Sequence, residues 1–225
     1  MNTQTSFKSP WAQRVVVAAC TAVGMVTVAT SLTGCFPVVA GGAVMTGMVA
    51  TDRRTSGAQV EDESIELRAS DRLNTAFGDK IHQNVTSFNR IVLITGEAAT
   101  PAVQQQAGQI VGKVENVRSV VNELVVAEKS SLAQRSNDTY ITSKVKASLI
   151  DAKDLQSNTI KVVTERQVVY LMGLVTQREA NRASEVARGV DGVKKVVRVF
   201  EYLTEEQLKA LSAQASDSNT TSAAK

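Results

Sequence analysis

The sequence predicts an α+β protein made of two small tandem α/β sandwiches. Each has the order helix, strand, strand, helix, strand, with two helices on a three-stranded mixed sheet. Two observations predict this fold class. The strand-like segment 90–96 recurs 77 residues later at 167–173, and the valine-rich segment 107–121 recurs 76 residues later at 183–197. Such regular repetition indicates two copies of one supersecondary unit. A three-stranded sheet then exposes an apolar face that one pair of helices can cover.

The first helix of the second copy is predicted to begin at Asp138, a residue type that commonly caps a helix N-terminus. Three aliphatic residues follow at intervals of four, which places them on one face of that helix. They are Ile141, Val145 and Leu149. Matching residues lie 76 positions earlier and predict the same helix in the first copy, residues 61–128. They are Ile65, Ala69 and Leu73.

The strands of the second copy, residues 136–203, are predicted from runs of β-branched and other apolar residues. They lie at 159–164, 168–175 and 193–202, with a Glu165-Arg166 turn between the first two. Thr176 and Glu179 have the spacing of a capping box, which opens the second helix. Thr100 and Pro101 are predicted to open the corresponding helix of the first copy, because proline at the first helical position loses no hydrogen bond.

Residues 1–34 have the features of a lipoprotein signal peptide. Lys8 and Arg14 provide a positively charged start, and the uncharged run 15–30 is short for a membrane span of about 20 residues. The run ends at Leu32-Thr33-Gly34-Cys35, which resembles the bacterial lipobox. In that motif the cysteine receives a diacylglycerol group and becomes the first residue of the mature chain. Cys35 is therefore the predicted lipidation site.

Cleavage before Cys35 leaves a mature chain of 191 of the 225 residues. The only other cysteine, Cys20, is removed with the signal peptide, so no disulfide, zinc cluster or cysteine nucleophile is expected. Lipoproteins of this type are generally retained at the inner membrane by an aspartate after the cysteine. Phe36 stands there instead, which favours the outer membrane, with the protein facing the periplasm.

Flanking segments complete the organisation. Residues 35–60 are predicted to be an apolar, glycine-containing segment near the anchor followed by a polar linker. In that linker, Arg53 and Arg54 either meet anionic head groups or are solvated. A short helix is predicted at 204–214, opened by a capping box at Thr204 and Gln207. The tail 215–225 contains no large apolar residue and is predicted to be disordered.

Composition argues against several classes of function. The formal charge is +3, and it falls to +1 once Lys8 and Arg14 are removed, so no nucleic-acid partner is expected. His82 is the only histidine, and a lone histidine is most often a surface or hydrogen-bonded residue. The acidic run 61–63 is interpreted as solvated. No enzymatic activity, cofactor or metal site is therefore expected.

Each copy also contains a Val-x-x-Val segment, at 113–117 and 189–193. Together with the lipobox, the polar segment 52–65 and the repeated fold, these resemble the dual BON-domain outer-membrane lipoproteins of Gram-negative bacteria. The resemblance covers residues 35 to about 204. It implies a role in outer-membrane integrity, binding of anionic phospholipids such as phosphatidylglycerol and cardiolipin through the second domain, and association with the β-barrel assembly machinery.

The resemblance places the lipid site on the first helix of the second domain. The residues concerned are Tyr140, Ile141, Ser143, Lys144, Lys146, Ala147 and Ile150. At 100° per residue, Tyr140 and Ile150 lie on the side of the helix opposite its core residues, flanked by the two lysines. An aromatic ring suits the head-group boundary, and lysines suit anionic lipid.

Three alternatives remain open. Tyr140 and Ile150 would be unavailable to lipid if they pack against the other domain or a loop. The protein would then be a periplasmic interaction scaffold whose membrane contact is the acyl anchor alone. Binding of peptidoglycan is a third reading, for which no motif is present.

Overall fold

The computed structural model describes residues 52–211. The signal peptide, Cys35, the apolar segment and the tail lie outside the described residues, so the predictions for them stay predictions. The elements of the first domain are α1 (Ser56–Phe77), β1 (Ile81–Phe88), β2 (Ile91–Ala98), α2 (Pro101–Gly112), β3 (Ser119–Asn122) and β4 (Val125–Val126). Those of the second are α3 (Leu132–Asp151), β5 (Ile160–Glu165), β6 (Val168–Thr176), α4 (Gln177–Arg188) and β7 (Lys195–Leu203). A last helix, α5, covers 205–211.

Each domain contains a mixed sheet covered by two helices. In the first domain β1 pairs antiparallel with β2, and β2 pairs parallel with β3. The second domain repeats this order with β5, β6 and β7. The two-residue strand β4 extends the parallel edge beside the end of β2, a feature that was not predicted. The predicted fold class, two α/β sandwiches with two helices on a mixed sheet, is confirmed.

The helices pack on the sheets through the residues that the four-residue spacing indicated. Ile65, Ala69 and Leu73 are buried on α1, and Ile141, Val145 and Leu149 are buried on α3. Alanines on α2 and α4 complete the two cores and allow close approach of helix to sheet. The predicted caps of α2 and α4 are present, and the Thr176–Glu179 capping box is formed in both directions.

The N-terminus of α3 corrects one prediction. The helix begins at Leu132 and is capped by Ser131 and Gln134, so Asp138 lies one and a half turns inside it. Asp138 is buried, and its carboxylate accepts hydrogen bonds from the backbone N–H groups of Arg166 and Gln167, both at 2.8 Å. These two residues form the β5–β6 turn, and both have positive φ. Asp138 therefore anchors a distant hairpin instead of capping its own helix.

Asp62 has the same role in the first domain. It is buried, although the acidic run 61–63 was predicted to be solvated, and that prediction is wrong here. Its carboxylate accepts hydrogen bonds at 2.7 Å from the backbone N–H groups of Asn89 and Arg90, the positive-φ turn between β1 and β2. Because Asp62 and Asp138 are 76 positions apart, the anchor belongs to the repeat.

The two sheets pack against each other through the faces that their own helices leave uncovered. Apolar residues of both domains form this interface cluster, including Phe88, Leu93, Tyr170, Met172, Leu174 and Val199. Polar contacts surround it, such as Lys161 Nζ to Glu66 at 2.9 Å and Asn89 Nδ2 to Glu201 at 2.7 Å. Residues 56–211 therefore form four layers, in the order helices, sheet, sheet, helices.

Residues 52–54, the arginine strap, contact both domains. Arg54 bonds to Asp62 at 2.7 Å and stacks on the Phe88 ring of the first domain. Arg53 makes two bonds to Glu179 of the second domain, at 2.7 and 2.8 Å, and one to the Leu174 carbonyl. The side chains of Arg53 and Glu179 are only 7% and 5% exposed. The predictions of a solvated or head-group-facing arginine pair are therefore wrong.

The strap also shortens the predicted linker. Thr55 caps α1, so that residues 56–60, predicted as the end of a linker, already belong to the helix. At the other end, the capping box at Thr204 and Gln207 is present and opens α5, although residues 212–214 of that predicted helix lie outside the described part. None of the helices within 52–211 is both long and apolar enough to cross a bilayer.

Replacing Asp138 with asparagine should destabilise the second domain by about 1–3 kcal/mol, because the amide offers one acceptor oxygen and turns an N–H group toward the second turn N–H. Urea unfolding of a chain that starts at Asp52 measures this loss. Asp191→Asn, at an exposed carboxylate, is the matched control and should leave the unfolding midpoint unchanged. Equal midpoints for the two variants would contradict the anchoring role.

Replacing Arg53 with methionine should cost about 3–5 kcal/mol at neutral pH, because it leaves the Glu179 carboxylate buried without its partner. Burial raises the pKa of Glu179, but the bonds from Arg53 outweigh it, and the pKa lies below its usual 4.5. A carboxylate with a lowered folded-state pKa stabilises the protein above its unfolded pKa and loses that contribution as the pH falls through the folded value.

The gap in stability between wild type and Arg53→Met should therefore be widest at neutral pH and narrow below pH 4.5. Unfolding curves recorded across this range test it. Arg182→Met removes the exposed pair with Asp154 and should have a smaller effect that varies less with pH. A gap that does not change with pH would show that Arg53 stabilises through packing alone.

Candidate lipid-facing surface and domain interface

The helix α3 presents an uncovered row of side chains to solvent. This row, the α3 outer stripe, consists of Tyr140, Ser143, Lys146, Ala147 and Ile150, which are all exposed. Tyr140 is 63% exposed and Ile150 is 65% exposed. Neither the first domain nor any described loop covers these two residues, contrary to the alternative in which they pack against one of them.

Ile141 has a different position from the other residues that the resemblance assigned to the lipid site. It is 2% exposed and belongs to the core between α3, α4 and the second sheet. One step along a helix turns the side chain by 100°, which carries Ile141 from the outer stripe into the domain. Ile141 therefore cannot contact lipid in this structure, and its assignment to the site is corrected.

The two lysines differ in how freely their charges face solvent. Lys144 Nζ bonds to the Asp191 carbonyl at 2.9 Å, lies 3.4 Å from its carboxylate, and is 5.5 Å from the centre of the Tyr140 ring. Lys146 is exposed and makes no ion pair with any residue of 52–211. A shallow groove beside Lys146 and Ile150 is lined by Ser157 and Asn158, which offer further hydrogen-bonding groups. The stripe thus combines two apolar side chains with one fully available positive charge.

The equivalent surface of α1 has another character. Positions 76 residues earlier place Ser64 at Tyr140 and Asn74 at Ile150. Arg68, which corresponds to Lys144, bonds to Glu61 at 2.7 Å and to Ser64 at 2.9 Å. The α1 surface therefore has no aromatic residue and neutralises its own charge, although Val60 and Leu67 are exposed on it.

A polar cluster lies at one end of the interface between the sheets. His82 Nδ1 is 2.9 Å from Glu97 Oε2, and Arg166 Nη1 of the second domain bonds to Glu97 Oε1 at 3.1 Å. Glu165, also from the second domain, brings a second carboxylate within 4.8 Å of the His82 and Glu97 ligand atoms. The histidine is hydrogen-bonded, as its solitary occurrence suggested. The two glutamates and Arg53 were not identified from the sequence.

The two carboxyl groups of this cluster differ in acidity. Burial raises the pKa of Glu165, and the charge of Glu97 raises it further, while His82 and Arg166 oppose the change. Burial also raises the pKa of Glu97, but its bonds with His82 and Arg166 outweigh that effect and leave the pKa lowered. Glu97 therefore holds a negative charge more firmly than Glu165, which lacks a hydrogen-bond donor.

The repeat contains the signal by which these glutamates could have been found. An offset of 77 aligns Glu97 with Leu174 and Glu165 with Phe88. Both apolar counterparts lie in the interface cluster, so these strand positions point at the other sheet. Two acidic residues at positions where the other copy is apolar indicate a polar site between the domains.

Comparison with known proteins agrees with this architecture. The model of the BON domain family matches residues 61–128 and again 137–204. The chain is 37% identical over 174 residues to the outer membrane lipoprotein DolP of Haemophilus influenzae, which covers 76% of this chain and 90% of that protein.

Two further relatives have different names. The 21 kDa hemolysin of Actinobacillus pleuropneumoniae is 34% identical, over 68% of this chain and 79% of its own length. The osmotically-inducible protein Y of Escherichia coli is 34% identical, over 50% of this chain and 58% of its own length. None of these proteins has the name of an enzyme. The chain therefore belongs to the BON-domain family, and within it to the dual-BON outer-membrane lipoproteins of which DolP is an example.

Proposed function

We propose that this protein is acylated at Cys35 and binds anionic phospholipid through the α3 outer stripe of its second BON domain, thereby supporting outer-membrane integrity and protein assembly. Phosphatidylglycerol and cardiolipin are the ligands, and the protein carries out no enzymatic reaction. The observation that carries the proposal is the uncovered pair Tyr140 and Ile150, which flanks the free charge of Lys146 on a single helix face.

Energetics divide the work between the stripe and the anchor. A lysine beside an anionic surface contributes about 1 kcal/mol, and burying a large apolar side chain contributes about 1.5–3 kcal/mol. These few kcal/mol, reduced by the cost of ordering the protein at the surface, give weak binding. The acyl chains at Cys35 therefore hold the protein on the membrane. The stripe selects anionic lipid and orients the second domain.

A scaffolding role is the second candidate, and the exposed Val60 and Leu67 of α1 favour it. These residues lie on the first domain, away from the lipid-facing stripe, so protein contact at α1 is compatible with lipid contact at α3. The β-barrel assembly machinery is the partner that the family resemblance implies. Under this alternative the acyl anchor makes the only membrane contact.

The double variant Tyr140→Glu, Ile150→Glu should reduce binding to phosphatidylglycerol or cardiolipin vesicles by at least about tenfold, because about 1.4 kcal/mol corresponds to that factor. Flotation of a chain that starts at Asp52 measures this, since the anchor would mask the difference. Val60→Glu, Leu67→Glu places the same two charges on α1 and should float like wild type. If both double variants lose binding equally, or neither does, the α3 stripe is not the lipid site.

Lipid attachment is tested separately. Cys35→Ala should release the protein from the outer membrane into the soluble fraction, because no acyl group can be added. Cys20→Ala changes the other cysteine, within the signal peptide, and should leave the protein anchored. Fractionation of cell envelopes followed by immunoblotting distinguishes the two. Retention of the Cys35→Ala protein at the wild-type level would exclude Cys35 as the anchor.

A further inference from the structure

We propose that His82, Glu97 and Glu165 form a binding site for a divalent transition metal, zinc in the first place, that joins the two BON domains. His82 and Glu97 lie on the antiparallel strands β1 and β2, where they are direct cross-strand partners. Glu165 ends β5 of the second domain. The three side chains meet across the sheet-to-sheet interface, so a bound ion would have ligands from both domains.

The distances suit a small ion. Zinc holds nitrogen and oxygen ligands at about 2.0–2.1 Å, which places neighbouring ligand atoms about 3.4 Å apart in a tetrahedron. The three ligand atoms here lie within 4.8 Å of one another, and His82 Nδ1 is 2.9 Å from Glu97 Oε2. Small rotations of the Glu165 side chain close the remaining gap. Water would occupy the fourth position.

The state of Glu165 is an independent indication of a missing ligand. Glu165 is 6% exposed, and no described residue donates a hydrogen bond to its carboxylate. Ser130 lies at the same end of the interface, where its backbone N–H bonds to Glu97 and its buried hydroxyl has no partner. Buried polar groups are normally satisfied, so unsatisfied ones call for an explanation such as a bound ion. A metal with its water would satisfy both groups.

Packing alone does not explain the acidic pair. The aligned residues of the other copy, Phe88 and Leu174, show that apolar side chains fit these positions of the interface. Placing two carboxylates within a few ångströms of each other in a buried site is costly unless a cation neutralises them. Arg166 supplies one positive charge, and it binds Glu97 Oε1, which leaves Oε2 beside His82 for a metal.

The donor set indicates the class of metal. Imidazole combined with carboxylate suits zinc and its neighbours, whereas magnesium and calcium prefer oxygen ligands alone. Binding at Nδ1 requires the neutral imidazole with its proton on Nε2, and any proton on Glu165 leaves to solvent. Since the ion binds only when the domains are docked, it stabilises the docked state by mass action.

The test uses the full chain, purified in detergent without a metal-binding tag and stripped with a chelator. Calorimetric titration with ZnCl₂ should show one ion per chain, and excess Mg²⁺ should not displace it. His82→Gln and Glu165→Gln should each weaken zinc binding by at least about 10- to 100-fold. Glu63→Gln, an exposed carboxylate on α1, is the matched control and should bind zinc like wild type.

Two further readouts exclude a trivial result. Zinc should raise the unfolding temperature of the wild type and of Glu63→Gln, but not that of Glu165→Gln, whose fold is checked by circular dichroism in chelator. If Glu165→Gln does not fold, Co²⁺ added to the wild type should give the visible absorption of a tetrahedral site. The proposal is overturned if zinc does not bind stoichiometrically, if Glu165→Gln binds as tightly as wild type, or if the cobalt spectrum is absent.

Discussion

The structure depends on a simple constraint: each sheet has two apolar faces, and its own helices can cover only one. In β6 all residues but the first are buried, and alternate residues serve the helix core and the interface cluster. A single domain would expose the second face to water. Packing the two sheets together removes both exposed faces at once, because the hydrophobic gain increases with the apolar area buried. The tandem arrangement is therefore a requirement of the core.

Charged groups then determine where each part of the chain lies. Asp62 and Asp138 hold the two hairpin turns against the first helices, through bonds to backbone N–H groups that would otherwise lack partners. The arginine strap connects the segment ahead of α1 to both domains, through Asp62 on one side and Glu179 on the other. Buried charge in this protein is thus paired with specific partners, as the cost of desolvation demands.

Local patterns predicted the local structure well. The internal repeat, the four-residue spacing on α1 and α3, and the capping boxes all involve residues a few positions apart, and the structure agrees with them. The prediction for Asp138 was wrong because a cap and a long-range anchor use the same residue type. Arg53 and Glu179 are 126 positions apart, a separation that no local pattern reports. The outward positions of Tyr140 and Ile150 followed from helix periodicity, whereas the meeting of Glu97 and Glu165 followed only from the sheet-to-sheet packing.

The order of the layers makes the folded part a spacer with two unlike ends. Sheets packed face to face lie about 10 Å apart, and a helix with its side chains is about 10 Å across, so the four layers span roughly 40 Å. The helices of the two domains form opposite surfaces of this slab. When α3 rests on a bilayer, α1 faces away from it, at a height set by the layers. A partner that binds α1 is then held at a fixed distance above the lipid, beyond the reach of the head groups.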